Sequence, residues 1–115
     1  MPSRKDRRRS QRVAVAAFAA LETTDIADAN DQIFGAVADM SRTGIAVHVG
    51  SEPRTGQRVR LRLAIGERIH ELDAVVTRID RRDKSLFDVG LDWSECDAAQ
   101  LGFLEEFLAA HDAAR

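Results

Sequence analysis

Residues 58–63 read Arg58-Val59-Arg60-Leu61-Arg62-Leu63, a strict alternation of charged and aliphatic side chains. Only a β-strand, with its side-chain period of two, places all three aliphatics on one face and all three arginines on the other. Gly66-Glu67 interrupts the run, and residues 69–79 resume it with Leu72, Ala74 and Val76 sharing a face. A glycine heading a two-residue loop between alternating segments is a hairpin signal. Folded about that turn, the hairpin sets Arg62 near Glu71 and Arg60 near Asp73, opposite charges across paired strands. These arginines therefore read as a solvated sheet face. The aliphatic face needs a cover, because a lone hairpin is marginal in water.

The rest of the chain supplies strands to provide it. Residues 13–21, 33–38 and 45–49 form three further apolar segments, and residues 86–93 alternate Phe87, Val89, Leu91 and Trp93 inward. Polar stretches separate them: 23–31, the turn Asp39 to Gly44, the Pro53–Gly56 connection, and Arg81-Arg82-Asp83-Lys84. Strands joined mostly by short turns indicate an antiparallel barrel or sandwich. The tail then changes period. Ser94 resembles a helix cap with Asp97 in the first turn, and Leu101, Leu104, Phe107 and Leu108 recur at helical spacing with Phe103 beside them. A helix over 94–111 is expected, packed on the sheet or over a barrel mouth. The expected organisation is one domain over 1–115: a flexible basic arm (1–7), the motifs and strands (8–93) and the helix.

Net charge is −2, yet it is unevenly spread. Arg4, Lys5, Arg7, Arg8, Arg9 and Arg12 stand against Asp6 alone, leaving an acidic remainder. A basic arm on an acidic body suits an anionic partner. No apolar run reaches the length of a membrane span. Residues 13–21 make a poor signal-peptide core, and the lone Cys96 allows no internal disulfide, so a cytoplasmic setting is expected. Cys96 itself reads as a buried or half-buried thiol. His48, His70 and His111 are scattered, with no zinc-ligand spacing, nucleophile elbow or phosphate loop, so neither a metal nor catalysis is expected.

Two clusters remain that carry chemistry. Arg8 and Arg12 offer planar donor forks that match phosphate oxygens and the acceptor edge of guanine and can stack on a base. Downstream, Asp39-Met40-Ser41-Arg42-Thr43-Gly44 provides what the arginines lack, acceptors and a small hydroxyl, in Asp39 and Ser41. Gly44 reads as the residue that permits a sharp turn.

The ordered pair, RxxxR at Arg8 and Arg12 and then DxSxxG at Asp39, Ser41 and Gly44, resembles the PilZ family of bacterial receptors for cyclic di-GMP. Val89-Gly90-Leu91-Asp92-Trp93 is similar to the family's closing strand, with Trp93 where Phe is more usual. The likeness spans residues 7–111. It implies an all-β, six-stranded antiparallel barrel with a C-terminal α-helix, and cyclic di-GMP as ligand with no other cofactor. Arg7, just before the first motif, goes in that family with capture of two stacked ligand molecules. The resemblance further implies an arginine arm that changes conformation on binding, and an unidentified downstream protein in motility, exopolysaccharide or virulence control. Neither DNA nor a membrane span is expected. The competing readings are a basic-arm module for nucleic acid or acidic protein without nucleotide sensing, and a PilZ-like scaffold that binds protein alone. Oligomeric state is not legible in these residues.

Overall fold

A computed structural model describes residues 17–23 and 32–113. Its elements are β1 (Phe18–Thr23), β2 (Gln32–Met40), β3 (Gly44–Val49), β4 (Arg58–Ile65), β5 (Arg68–Asp83), β6 (Leu86–Asp92) and one helix, α1 (Ala98–Ala113). The strands close into a six-stranded barrel in the order β1-β2-β3-β6-β5-β4, with β4 returning to β1. Every neighbouring pair is antiparallel. Closure gives each of these strands a neighbour on both sides.

The β4–β5 hairpin has the register that its alternation demands. Arg60 faces Asp73 and Arg62 faces Glu71, with Nε–carboxylate distances of 3.1 Å and 3.0 Å. Gly66 turns the hairpin at φ 62, in the left-handed region that only glycine enters without cost. Val59, Leu61 and Leu63 point inward beside Leu72, Ala74 and Val76, and all are buried. Ile45, Val47 and Val49 of β3 and Phe87, Val89 and Leu91 of β6 fill the other side of the interior. A barrel this narrow is plugged by its own side chains and has no lumen for a ligand. A ligand would have to sit on the outside.

Several boundaries differ from the sequence expectation. The run 13–21 is described only from Ala17 onward; residues 13–16 lie outside the described residues. β5 continues through Arg81 and Arg82 to Asp83, so of the expected polar turn only Lys84 lies in a turn and the rest is strand. This strand belongs to two edges, pairing with β4 over Arg68 to Val75 and with β6 over Val75 to Asp83. Register shifts at Val76/Arg78 and Arg81/Asp83 bend it around the barrel. Charged residues pair there because their side chains face solvent while the backbone still needs its ladder.

The helix starts at Ala98 rather than at Ser94. Asp97 is the cap, its Oδ1 accepting from the Gln100 amide at 2.8 Å. Ser94 instead donates through Oγ to Asp92 at 2.6 Å. Leu104 and Leu108 are buried, with Phe103 and Phe107 flanking them, whereas Leu101 is 42% exposed and lies off the seam. Gln100 anchors the helix to β5 by accepting from the Asp73 amide and donating to its carboxylate, both at 3.1 Å. Phe103 stacks on His70 with ring centroids 4.1 Å apart. Cys96 is half-buried between these elements and donates through Sγ to the Asp73 carbonyl. Burial pushes its thiol up to about 11.

Candidate functional site

The second motif begins with an irregularity. Val37 of β2 pairs with Val47 of β3, but Asp39 pairs with Ala46, so one residue is gained at Ala38. Simple alternation would put Asp39 on the same inward face as Val37. The bulge reverses the parity. Met40 now takes the interior place opposite Ile45, and both are fully buried. Asp39 is turned outward opposite Ala46. It stands on the last stretch of a strand, not on a turn as its neighbours in sequence suggest.

Ser41 to Gly44 makes the tight connection from β2 to β3. The Ser41 amide donates to the Gly44 carbonyl at 2.8 Å, and the amides of Thr43 and Gly44 donate to Ser41 Oγ at 3.2 and 3.3 Å. The same Oγ lies 3.1 Å from Thr43 Oγ1. Just past the end of β6, the Trp93 indole N–H donates to the Ser41 carbonyl at 3.0 Å, and the Trp93 amide donates to the Thr43 carbonyl at 3.3 Å. Ser41 and Trp93 are both buried. The hydroxyl that the sequence offers to a ligand is thus engaged within its own turn. Its amide, hydroxyl and carbonyl all shape the loop, and the aromatic of the closing strand clamps it.

Gly44 also has a different reason from the one its sequence suggests. Among the described residues the positive-φ glycines are Gly56 and Gly66, and Gly44 is not one of them. It opens β3 opposite Asp92, and a Cβ there would overlap the Leu91 carbonyl oxygen. Glycine is required by the close approach of β3 to β6. Arg42, at the tip of the turn, pairs loosely with Glu105 of α1 at 3.5 Å.

Outside this loop lies a groove of about 480 Å³. Asp39 and Gly44 line it, with Thr43, Ala46, Thr77, Arg78, Gly90 and Asp92. Four of these are successive partners across the sheet: Asp39 with Ala46, Ala46 with Gly90, Gly90 with Arg78. The smallest side chains form the floor, and an acid and a base stand at its ends. Asp92 is fixed at the groove's edge, its Oδ1 accepting from the Ser94 amide and hydroxyl. Among the described residues no group of three metal-ligating side chains occurs. Among the described residues no helix is long and apolar enough to cross a membrane.

The structure therefore brings Asp39 and Gly44 to one groove, with Ser41 buried beneath its rim. Arg7, Arg8 and Arg12 lie outside the described residues. Sequence reasoning missed Arg78, Ala46 and Gly90 as groove residues. Gly90 carried a signal as part of the closing-strand motif; Arg78 carried none, because its place depends on the shift in β5.

The family model for the PilZ domain matches residues 6–110, spanning both motifs and the barrel. The chain is a PilZ domain. Solved PilZ structures superimpose on it well despite low sequence identity. The PilZ domain of YcgR from Escherichia coli, with c-di-GMP, matches with a TM-score of 0.74 at 16% identity over 94% of this chain and 93% of that one. The longer YcgR chain in complex with c-di-GMP matches with a TM-score of 0.74 at 17% identity over 94% of this chain. The Bacillus subtilis inhibitor of motility, MotI/DgrA, matches with a TM-score of 0.72 at 24% identity over 100% of this chain. This PilZ domain spans 47% of that YcgR chain and 57% of the MotI chain. No curated protein matches the chain in sequence. The closed six-stranded barrel with its C-terminal helix is the fold that the two motifs imply.

Proposed function

We propose that this PilZ domain is a cyclic di-GMP receptor, and that the groove outside β2, β3, β6 and β5 is where the nucleotide sits. The observation that carries the reading is the outward turn of Asp39 at the bulge, on the rim of a small-residue trough in a PilZ barrel that also has an RxxxR arm. A carboxylate there accepts from guanine N1–H and N2–H, which adenine does not present in that form. Ala46 and Gly90 leave a flat floor on which a large planar ligand can rest. Arg8 and Arg12 would close over the ligand from the N-terminal side, binding phosphate and guanine and stacking on a base. Arg7 favours two stacked nucleotides per domain. YcgR, which shares the fold, has been solved in complex with c-di-GMP.

The signal in this reading is a closure. Closely spaced arginines repel each other and bury little apolar surface, so anionic phosphates offset the entropy of ordering them. The liganded arm then presents a new surface beside the barrel for a downstream protein. Recognition and shape are sufficient for such a role, and no reaction by the chain is invoked.

Titration calorimetry of the full chain with cyclic di-GMP, cyclic di-AMP, GTP and random-sequence DNA tests this. Selective binding of cyclic di-GMP, weakening as salt rises, is expected. Absence of binding, or preference for DNA, would overturn it. Backbone relaxation of residues 1–12 with and without cyclic di-GMP tests the closure. An arm equally ordered in both states refutes the switch.

A further inference from the structure

Resting on the cyclic di-GMP reading, we propose that Arg78 is a phosphate-holding residue of the site, supplied by the barrel wall opposite Asp39. Asp39 accepts from a guanine edge but repels phosphate. The phosphodiester of a nucleotide anchored there must lie away from it, along the groove. Among the described residues lining that groove, Arg78 supplies the positive charge. The register fixes its separation: Asp39, Ala46, Gly90 and Arg78 occupy four successive strands, so the two ends stand about 14 Å apart at ordinary strand spacing. A ligand with guanines at its ends and phosphates in a central ring can reach both.

Two local features suit Arg78 to this task. Its guanidinium lies along the sheet above Gly90: a Cβ at Gly90 would sit 3.2 Å from Nε and 3.3 Å from Nη2. Gly90 therefore acts as a seat, keeping the planar fork low in the trough where any side chain would lift it. In the structure Nη1 is held by Asp80 Oδ2 at 2.7 Å, with both side chains more than half exposed. Exposed ion pairs are weak, whereas an arginine–phosphate fork is geometrically matched. Arg78 is held in place by Asp80 and exchanges it for a phosphodiester when the nucleotide arrives.

Cyclic di-GMP calorimetry on the full-length wild type, Arg78→Ala, Arg78→Lys and Asp80→Asn, with melting curves for each, tests the proposal. Arg78→Ala should weaken binding about ten- to a hundredfold, as expected for loss of a charge-assisted contact, and flatten the salt dependence. Its melting temperature should stay near that of the wild type, since the side chain is exposed. Arg78→Lys should recover part of the loss, keeping the charge without the fork. Asp80→Asn, which removes the competitor, should tighten binding up to roughly fivefold. A wild type that binds while Arg78→Ala binds within about twofold of it overturns the proposal alone. A wild type that binds no cyclic di-GMP overturns the receptor reading and this proposal together. Weaker binding by Asp80→Asn also overturns the exchange, because the aspartate would then be helping the ligand.

Discussion

Replacing Trp93 by Phe isolates the clamp that holds the Ser41–Gly44 turn. The substitution keeps an aromatic ring in the core but removes the indole N–H that donates to the Ser41 carbonyl at 3.0 Å. Ser41 is fully buried and Trp93 is 3% exposed, so water has no easy route in to replace the lost donor. Removing one partner of a buried hydrogen bond costs about 1–3 kcal/mol. The smaller ring leaves a void that adds roughly 1 kcal/mol at the usual cost per unit cavity volume. The sum is about 2–4 kcal/mol, a large share of a small domain's stability. At about 4–8 °C per kcal/mol, the melting temperature should fall roughly 10–30 °C. Thermal unfolding followed by circular dichroism gives the number. Cyclic di-GMP affinity should fall as well, because the turn follows directly from the strand end that aims Asp39. A melting temperature within about 2 °C of wild type would show that the clamp contributes little and refute the reasoning.

Further outcomes follow from the same geometry. Gly44→Ala should already be severely destabilising, because its Cβ meets the Leu91 backbone carbonyl rather than a movable side chain. If melting shows a loss of only about 1 kcal/mol, as for a simple glycine-to-alanine backbone effect, the close approach is not the reason for glycine there. Asp39→Ala should leave the melting temperature nearly unchanged and reduce the preference for cyclic di-GMP over cyclic di-AMP in calorimetry. Arg8→Ala and Arg12→Ala should each cost about 1.5–3 kcal/mol of binding; parental affinity in both would remove the arm from the site. The Cys96 thiol, moved from 9.0 to about 11 by burial, should alkylate at pH 8 roughly a hundredfold more slowly than an unfolded control, since only the thiolate reacts. The sign for stability follows: a raised folded value leaves the contribution intact below pH 9.0 and removes it as pH climbs toward about 11. Melting of wild type and Cys96→Ser at pH 8 and pH 10 checks this, with the wild type losing more.

The local code of this chain was sufficient for its strands. Alternation in residues 58–63 and 69–79, a glycine between them and charges placed to meet across the turn dictate one hairpin in one register, because a slip would expose the aliphatic face. The order of arginine arm, acidic motif and closing strand pointed to the PilZ fold for the same reason: each piece is short and contiguous. Element ends were less legible. Ser94 and Asp97 are both competent caps, and only the hydrogen bond from Ser94 to Asp92 leaves Asp97 as the one used.

Tertiary structure decided which of these residues share a surface. The bulge at Ala38 inverts the facing of Asp39, and no local preference announces it; it arises because Met40 and Ile45 must both enter the core. Gly44 looked like a turn glycine until β6 was placed against it. Arg78 lies thirty-nine positions beyond Asp39, and joins it through β3 and β6, two strands that are far apart in sequence. That row exists only once β3 pairs with β6 and the barrel shuts. Side-chain periodicity is written along the chain, but the order of strands around a barrel is set by long-range pairing, so the strands could be read from the sequence and the groove could not.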